Sequence, residues 1–231
     1  MKNVIICNKV IGETPLECLE RIRIENGIDK SVSMTYAGRL DPMAEGMLII
    51  LIGEECKNKD KYTGLDKEYE IEVLFGLETD SYDILGLIKN ININKINKIE
   101  LEKYIGRYIQ KYPRYSSKII AMKEIPDEIP SKEVQIYSIN KLVEIEKSGE
   151  EIARESIEKI KKVKGDFRQE KIIDKWEKYG KKFAKNQFKI IKLKVVCSSG
   201  TYMRSLADRI GKDMGIGAIA YSIKRTKIML E

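Results

Sequence analysis

The chain has 231 residues, of which 43 are Lys or Arg, 36 are Asp or Glu and none is His, so its net charge is +7. This length accommodates one large domain or two small ones. The lack of histidine argues against a Cys/His zinc site and removes the commonest general base. Any acid–base chemistry must therefore use Asp, Glu, Tyr, Lys or Cys.

The four cysteines are scattered without a CxxC pair, at Cys7, Cys18, Cys56 and Cys197. Isolated thiols are typical of a reducing compartment rather than of a disulfide framework, so we expect a cytoplasmic protein. The longest apolar run, residues 47–52, is too short to cross a bilayer, and no signal peptide opens the chain. We therefore expect no membrane association, and our default oligomeric state is a monomer.

The N-terminal quarter predicts a strand, a helix and a second strand. Residues 4–7 have the pattern of a short buried strand. Residues 14–17 (TPLE) place a capping threonine before a proline at the first helical position and a glutamate at the third, which predicts a helix start. We expect this helix to stop near Gly27, followed by a loop over residues 31–46 and a strand over residues 47–52.

The middle of the chain begins with a clean alternation. Over residues 67–76, aromatic and aliphatic side chains alternate with glutamates, which predicts a half-exposed strand. An acidic loop is expected over residues 77–86, a helix over residues 94–110 and a second loop over residues 111–117. A further strand is expected over residues 133–146.

Residues 150–186 have a different hydrophobic pattern from the rest of the chain. Two apolar stripes at helical spacing, separated by Gly165-Asp166, predict a helical hairpin inserted between two strands, the second over residues 188–197. A helix is then expected from Gly200 and a last strand over residues 218–228. Strands and helices mix without strict alternation, which favours an α+β or mixed-sheet domain.

The basic surplus is local. Residues 159–185 hold 11 basic and four acidic side chains, an excess equal to that of the whole chain. A polyanionic partner would explain it. A lysine-rich composition from an AT-rich genome would explain it as well.

Three polar residues are candidates for chemistry, although each also has an ordinary structural interpretation. Asp41 lies in a loop directly before a proline, where it could be a turn former. Tyr69 lies on the alternating strand, where it could be a core aromatic. Arg204 could simply pair with Asp208, four residues along its helix.

Taken together, five ordered blocks of the sequence resemble the TruB-type tRNA pseudouridine synthases. The blocks are Asn8-Lys9-x-x-Gly12-x-Thr14; Gly38-x-Leu40-Asp41-Pro42-x-Ala44-x-Gly46; Lys67-x-Tyr69 with Gly76-x-x-Thr79-Asp80-x-x-Asp83-x-x-Gly86; Gln110-x-x-Pro113-x-Tyr115-Ser116; and Cys197-Ser198-x-Gly200-Thr201-Tyr202-x-Arg204-x-Leu206 with Gly215-x-Gly217-Ala218 and Arg225-Thr226. They cover most of the chain outside residues 147–187.

The resemblance implies a fold and an activity. The fold is α+β, a mixed, mainly antiparallel central sheet flanked by helices. Residues 1–231 would form one catalytic domain, with residues 147–187 as an inserted basic hairpin. The activity is isomerisation of uridine to pseudouridine in the T-loop of tRNA, conventionally at position 55, without a cofactor or a metal. The partner would be the T-arm stem-loop of tRNA.

The resemblance also implies residue roles. Asp41 matches the catalytic aspartate, and Arg204 matches the arginine that forms a salt bridge with it. Tyr69 matches the tyrosine that stacks on the target base and is a candidate for proton transfer. Tyr202 would help line the pocket, and Ile223 matches an apolar pocket residue.

Four further positions are candidates for substrate binding. Lys9 and Gly38 belong to the matched blocks. Tyr36 stands where the family commonly has a histidine that stacks in the space left by the flipped base, and an aromatic ring can still stack there. Arg39 replaces a threonine or small residue and resembles the RLD element of the RluA family, which leaves the choice of RNA open.

The parts of the family that dock RNA differ most. After residues 115–118 the family has a longer RNA-gripping loop, whereas here about a dozen residues precede the next strand. We also expect no C-terminal PUA domain. The hypothesis is that the basic hairpin compensates through phosphate contacts made by Lys178, Lys181, Lys182 and Lys185. The alternative is a solvated helical pair whose apolar side covers the sheet.

A generic basic scaffold, which would show no preference for structured RNA, is one alternative, and two more specific functions also stay open from sequence. One is a pseudouridine synthase that acts on another RNA, which the short loop and Arg39 favour. The other is a non-catalytic RNA-binding protein or chaperone of the same fold. Retention of Asp41, Tyr69 and Arg204 together argues against a pure binder, which has no need of a buried acid.

Overall fold

The computed structural model describes residues 3–94, 96, 99–116 and 129–230. Within these residues the strands are β1 (Val4–Lys9), β2 (Met34–Ala37), β3 (Ala44–Ile52), β4 (Lys67–Phe75), β5 (Leu77–Thr79), β6 (Ile88–Ile91), β7 (Gly106–Lys111), β8 (Ser131–Ser148), β9 (Gln187–Cys197) and β10 (Ala218–Ile228). The α-helices are α1 (Pro15–Glu25), α2 (Lys59–Gly64), α3 (Gly149–Ile160), α4 (Gln169–Lys182) and α5 (Met203–Asp213), and short 3₁₀ turns occupy Gly53–Asn58 and Glu102–Tyr104.

Eight strands form one sheet in the order β1-β3-β10-β4-β9-β8-β7, with β2 paired to β3 off this path. Every pairing is antiparallel except that of β3 with β10. Strands β5 and β6 form a separate ribbon. The expected class, a mixed and mainly antiparallel sheet with helices, is confirmed.

The two faces of the sheet carry different helices. Because side chains alternate along a strand, Ile71 of β4 and Leu193 of β9 face one way and pack with Leu206 of α5. Leu74 and Ile190, at odd spacing from them, face the other way and pack with residues of α3 and α4. Each face therefore has its own apolar core.

The helical pair α3–α4 matches the two apolar stripes predicted from sequence. Trp176 is fully buried, and its indole N–H donates to the carbonyl of Ile84 at 3.0 Å. Gly180 lies so close to α3 that a Cβ there would be 2.7 Å from that of Ala153. One side of the hairpin is therefore part of the protein interior. Its description as an insertion over residues 147–187 of a single domain stays a prediction.

Local signals placed several elements correctly. Helix α1 begins at Pro15, and its expected capping box forms between Thr14 and Glu17, with the Glu17 amide donating to Thr14 Oγ1 at 3.2 Å and the Thr14 amide to Glu17 Oε2 at 2.7 Å. The last strand runs over Ala218–Ile228 as expected. Helix α5 begins at Met203, three residues after its predicted start.

The helix predicted over residues 94–110 is wrong. Glu102–Tyr104 forms a 3₁₀ turn, and Gly106–Lys111 is strand β7, paired with β8 from Gly106 opposite Ile136 to Lys111 opposite Ser131. Gly106 enters the strand with φ of +112°, a backbone conformation outside the helical region. Residues 95, 97 and 98 of the predicted helix lie outside the described residues. Pairing with β8, which lies far along the chain, decided the structure.

Two predicted loops contain strands. The loop expected over residues 31–46 includes β2 and the first residues of β3. Strand β2 pairs with the last residues of β3, from Met34 opposite Ile52 to Ala37 opposite Ile49. The loop expected over residues 77–86 opens with β5, which pairs with β6. The loop over residues 111–117 starts one residue late, because Lys111 still belongs to β7, and Ser117 lies outside the described residues. Most of the short segment that stands where the family has its RNA-gripping loop also lies outside the described residues.

Across the described residues, no helix combines the length and the apolar character needed to cross a membrane.

Candidate active site

The loop between β2 and β3 presents Asp41. Its backbone carbonyl accepts from the amide of Ala44 at 3.0 Å, which closes a turn around Pro42. The Pro42 carbonyl accepts from the amide of Gly12 at 2.9 Å, which ties this loop to the segment before α1. The Asp41 side chain is 25% exposed, so its carboxylate lies at the border between protein and solvent.

Arg204, in the first turn of α5, reaches this carboxylate. Its Nε donates to Asp41 Oδ2 at 2.8 Å, and its Nη1 donates to the carbonyl of Ser81 at 3.0 Å. The guanidinium is only 3% exposed and also lies 3.7 Å from Asp83 Oδ2. Its sequence neighbour Asp208 pairs with Lys212 instead, at 2.7 Å. The surface pairing considered for Arg204 is therefore not the one that forms.

Two carboxylates share this arginine. Asp83 is buried and accepts from Ser81 Oγ at 2.5 Å and from the Leu85 amide at 3.0 Å. Burial raises the pKa of Asp83, and the positive charge of Arg204 opposes that rise. Burial alone would lower the pKa of Arg204, but Asp41 and Asp83 outweigh burial and raise it. The arginine therefore stays charged, and its fixed position orients Asp41.

Tyr69 lies on β4 directly opposite Arg225 of β10. Burial raises the pKa of the Tyr69 phenol, and the positive charge of Arg225 partly offsets the rise. Arg225 also donates to the carbonyl of Met47 at 2.6 Å and to that of Gly38 at 2.8 Å. This arginine therefore links the tyrosine to the strands that flank the Asp41 loop.

Two glycines make this arrangement possible. Gly46 has φ of +107°, and a Cβ there would lie 2.2 Å from the carbonyl oxygen of Arg225, so only glycine fits. Gly38 has φ of +69°, in the left-handed region that glycine adopts most readily.

An inner cavity of about 520 Å³ opens on one side of Asp41. This volume is within the range of small-molecule sites. The predicted site residues that line it are Asp41, Tyr69, Tyr202, Ile223, Gly38 and Arg39. They come from the β2–β3 loop, strand β4, the residue before α5 and strand β10, so the fold has brought together residues that are up to 185 positions apart.

An outer cleft of about 780 Å³ opens on the other side. Asp41, Arg39 and Leu40 line both spaces, so the carboxylate stands where the two meet. Tyr36 lines only the outer cleft. Arg39 donates to the Tyr36 hydroxyl at 2.8 Å and lies against its ring, 5.7 Å from the centroid. The ring is therefore held at the mouth of the site rather than inside the cavity.

Tyr202 is positioned by hydrogen bonds between the side chain of Gln110 and the backbone on either side of Thr201. Gln110 of β7 accepts from the Tyr202 amide at 2.9 Å and donates to the Gly200 carbonyl at 3.2 Å. The Tyr202 ring meets that of Tyr112 edge-on at 5.8 Å. Burial raises the pKa of Tyr202. The block that contains Gln110 thus supports the segment that leads into Arg204.

Lys9 is brought near the site but lines neither space. Its ammonium is fully buried and donates to the carbonyls of Val10 at 3.0 Å and Glu13 at 2.7 Å. Burial lowers the pKa of Lys9 to about 8. These contacts hold the segment around Gly12, against which the Asp41 loop rests. The position favours a supporting role for Lys9 over contact with substrate.

The four hairpin lysines lie away from the site. Lys178, Lys181, Lys182 and Lys185 are exposed, and Lys178 pairs with Asp174 at 2.7 Å. Helix α4 starts at the outer cleft, and Lys178 follows Arg168 by ten residues, which is about 15 Å along a helix. Any contact that they make with RNA would lie outside the catalytic cleft.

Sequence reasoning gave no role to several residues of the site. Asp83, Lys67 and Arg225 occur in the matched blocks, so a signal for them was present. Lys67 lines the inner cavity, and burial lowers its pKa to about 8. Arg168 lines the outer cleft from within residues 147–187 and had no motif to reveal it. Among the described residues, no cluster of three or more Cys, Asp or Glu could hold a metal ion.

Comparison with solved structures places the fold. A chain in the crystal structure of a Cbf5–Nop10–Gar1 complex superposes with a TM-score of 0.58 at 17% identity, covering 97% of this chain. A chain of an H/ACA ribonucleoprotein bound to a substrate RNA containing 2′-deoxyuridine gives 0.54 at 16% identity. This chain spans about half the length of each, 48% and 47% respectively.

Comparison with curated proteins identifies relatives. tRNA pseudouridine synthase B of Endomicrobium trichonymphae is 30% identical over an alignment of 231 positions, which covers 97% of this chain and 84% of that protein. tRNA pseudouridine synthase B of Aquifex aeolicus is 28% identical over an alignment of 243 positions, which covers 99% of this chain and 69% of that protein. Residues 28–157, more than half of the chain, match the family described as TruB family pseudouridylate synthase (N terminal domain). The chain belongs to the TruB family of pseudouridylate synthases.

Proposed function

We propose that the protein isomerises uridine to pseudouridine in tRNA, at the T-loop uridine conventionally numbered 55. The observation that carries this proposal is the position of Asp41. Its carboxylate is fixed by Arg204 at the junction of an inner cavity and an outer cleft. The names of the curated relatives support tRNA as the substrate.

The reaction defines what the site must provide. The bond between ribose C1′ and uracil N1 breaks, the base rotates, and a bond forms between C1′ and C5. The hydrogen of C5 is lost and N1 gains a proton, so the product is an isomer and no electrons are exchanged. A carboxylate next to the sugar, a second polar group that handles protons and a pocket for an extruded base are sufficient.

Asp41 supplies the carboxylate. The ion pair with Arg204 fixes one of its oxygens, while its exposed quarter leaves it accessible to a nucleotide. Arg204 is in turn fixed by the Ser81 carbonyl and Asp83. Because these partners are already in place, little reorganisation is needed when the substrate enters.

Tyr69 supplies the second polar group. Burial raises the pKa of its phenol, so the hydroxyl is protonated at neutral pH and can donate to the base. Its ring and the side chain of Ile223 form part of the lining of the inner cavity, where a flipped uracil would stack. Tyr202 forms part of the same lining.

The outer cleft would take the RNA strands that flank the target. Tyr36 and Arg39 stand at its mouth, where an aromatic ring and a guanidinium can contact bases and phosphates. The hairpin lysines 178, 181, 182 and 185 would add contacts to the phosphate backbone that do not depend on sequence. We expect the protein to act in the cytoplasm, as a monomer and without a metal or cofactor.

The proposal is tested with an unmodified T-arm stem-loop and a full tRNA transcript. Each is incubated with wild type or Asp41→Ala, and pseudouridine is detected by carbodiimide adducts and primer-extension stops. We expect a stop at the T-loop uridine with wild type and none with the variant. Binding of both RNAs without any stop would overturn the proposal. A stop at another uridine would keep the chemistry and change the substrate, as Arg39 at the mouth could permit.

A further inference from the structure

The turn between the two hairpin helices forms part of the catalytic cleft. Residues 161–168 connect α3 to α4, and Asp166, Phe167 and Arg168 line the outer cleft together with Asp41. A backbone carbonyl of this turn packs against Gly12, where an added Cβ would lie 2.6 Å from the oxygen of Lys162. The turn therefore touches the segment that also supports the Asp41 loop.

This turn is held by many hydrogen bonds. Gln169 donates to the carbonyls of Val163 at 3.1 Å and Gly165 at 2.7 Å, and accepts from the Phe167 amide at 2.8 Å. Arg168 has φ of +64°, a left-handed conformation that non-glycine residues adopt at an energetic cost. Strain of this kind persists where the surroundings fix the residue.

The side chain of Arg168 is fixed by two partners from other parts of the chain. Its two terminal nitrogens donate to the two carboxylate oxygens of Asp80, at 2.8 and 3.3 Å. Nη1 also donates to the Tyr115 hydroxyl at 3.0 Å, and the guanidinium lies 4.2 Å from the centroid of that ring. Asp80 is only 8% exposed and accepts a further bond from the Leu87 amide at 2.8 Å.

The partner of Arg168 lies in the loop that holds Arg204. Asp80 directly precedes Ser81, whose carbonyl accepts from Arg204 at 3.0 Å, and it lies three residues before Asp83. The same short loop thus binds one arginine from the hairpin and one from α5. Movement of this loop would shift the carbonyl and the carboxylate that fix Arg204, and with them the orientation of Asp41.

We propose that Arg168 is a positioning residue for the reaction: through Asp80 it fixes the loop over residues 80–83, and thereby the Arg204–Asp41 pair. The inserted hairpin then contributes to catalysis itself and not only to RNA affinity. The bidentate pairing favours this role over a phosphate contact, because Asp80 already neutralises the Arg168 charge. The inference rests on the proposed function and deepens it.

A kinetic test that varies the charge of the pair distinguishes a positioning role of Arg168 from a direct contact with RNA phosphate. Arg168→Ala and Asp80→Asn both remove the pair, but the first lowers and the second raises the net positive charge at the cleft. We expect kcat on the T-arm stem-loop to fall about tenfold or more in both, with KM little changed. Arg168→Lys, which keeps one ion pair, should recover part of the loss. Lys164→Ala, a charge removal at an exposed position of the same turn, should keep the kcat of wild type.

The result that overturns the proposal is a rise in KM for Arg168→Ala with kcat unchanged, together with wild-type kinetics for Asp80→Asn. Arg168 would then be an RNA contact. Loss of folding is checked by the melting temperature of each variant, and kinetics are compared only between variants that fold.

A readout without RNA makes this inference independent of the proposed activity. The Arg204 Nε–H group donates to Asp41, so its ¹⁵N NMR signal and its hydrogen exchange report the pair. We expect faster exchange and a shifted signal in Arg168→Ala and in Asp80→Asn, and wild-type behaviour in Lys164→Ala. Unchanged exchange in the first two variants would overturn the positioning role. A wild type that makes no pseudouridine would overturn the proposed function alone.

Discussion

The Asp41–Arg204 centre and the α3–α4 hairpin differ in how they relate to sequence motifs, yet each contributes an arginine that binds the same loop. Arg204 is held by Ser81 and Asp83, whereas Arg168 is held by Asp80. The first arginine belongs to one of the sequence blocks that suggested the family, and the second lies outside those blocks. The loop over residues 80–83 is therefore where the Asp41–Arg204 pair and the α3–α4 hairpin meet.

The two arginines differ in exposure. The side chain of Arg204 is 3% exposed and that of Arg168 is 32% exposed. Removing Arg204 leaves two carboxylates, those of Asp41 and the buried Asp83, without their partner, whereas removing the more exposed Arg168 leaves only that of Asp80. The centre should therefore respond more strongly to substitution than the hairpin turn, and each of the following experiments tests that ranking.

The largest effect is expected from Arg204→Met. Asp41 and the buried Asp83 would lose their common partner, so the free energy of unfolding should fall by about 3–5 kcal/mol and pseudouridine formation should become undetectable. Urea unfolding and the primer-extension assay measure the two effects. Arg107→Met is the matched control, because Arg107 forms an exposed pair with Glu133 at 3.9 Å and should change stability by less than about 1 kcal/mol. Equal effects of the two variants would contradict the ranking.

A smaller effect is expected from Trp176→Phe, which tests how firmly the hairpin is seated. The change keeps an aromatic ring but removes the indole donor, so the carbonyl of Ile84, next to Asp83, loses its bond. The free energy of unfolding should fall by about 2 kcal/mol. A modest decrease in kcat is expected because the supported residue adjoins the loop. Loss of hairpin protection in hydrogen exchange with the rest of the protein unchanged would show instead that the hairpin unfolds separately.

Opposite responses to acid are expected from the two aspartates of the loop. The pKa of Asp83 is raised, mainly by burial, so the stability that the protonated group provides is present below its ordinary pKa of 3.8 and is lost as pH rises through the raised value. Burial alone would raise the pKa of Asp80 too, but the hydrogen bonds from Arg168 and Leu87 outweigh it and lower that pKa. Its stabilisation is present above pH 3.8 and is lost as pH falls through the lowered value.

The test is the difference in unfolding free energy between wild type and each Asn variant, measured from pH 3 to pH 7. For Asp80→Asn the difference should grow with pH, and for Asp83→Asn it should shrink. Each slope is limited to about 1.4 kcal/mol per pH unit, the value for one proton. Slopes of the same sign would refute the distinction between the two carboxylates.

The smallest effect is expected from the far end of the hairpin. Neutralising Lys178, Lys181, Lys182 and Lys185 together should weaken tRNA binding several-fold. A plot of log affinity against log salt concentration should become less steep, by about 0.7–0.9 for each phosphate contact that is lost. The kcat should not change, since these lysines lie about 15 Å or more along the helix from Arg168. Unaltered affinity and salt dependence would support the alternative, a solvated face.

What sequence could predict depended on whether the signal was local or belonged to a motif. The capping box at Thr14 and the stripes of the hairpin are local, so these elements were predicted correctly. Asp41 and Arg204 were found because each lies in a recognisable block, and the structure places them 2.8 Å apart.

The errors have physical causes. The helix prediction failed at strand β7 because the structure there is decided by pairing with β8, whose partner residues lie 20 to 30 positions away. The pair formed by Arg168 and Asp80 joins positions 88 apart, and no local pattern reveals it. The assignment of Lys9 to substrate binding stays a prediction; its ammonium donates to two backbone carbonyls.

The most direct test of the central claim uses tRNA transcripts that carry tritium at C5 of uridine. Formation of the new bond to C5 releases this hydrogen, so tritium in solvent measures the chemical step itself. With wild type we expect release that approaches one equivalent per tRNA, and with Asp41→Asn, which keeps the shape of the side chain but not its charge, we expect none although tRNA still binds. Release by Asp41→Asn at the wild-type rate, or no release by wild type, would contradict the assignment of Asp41 as the catalytic carboxylate.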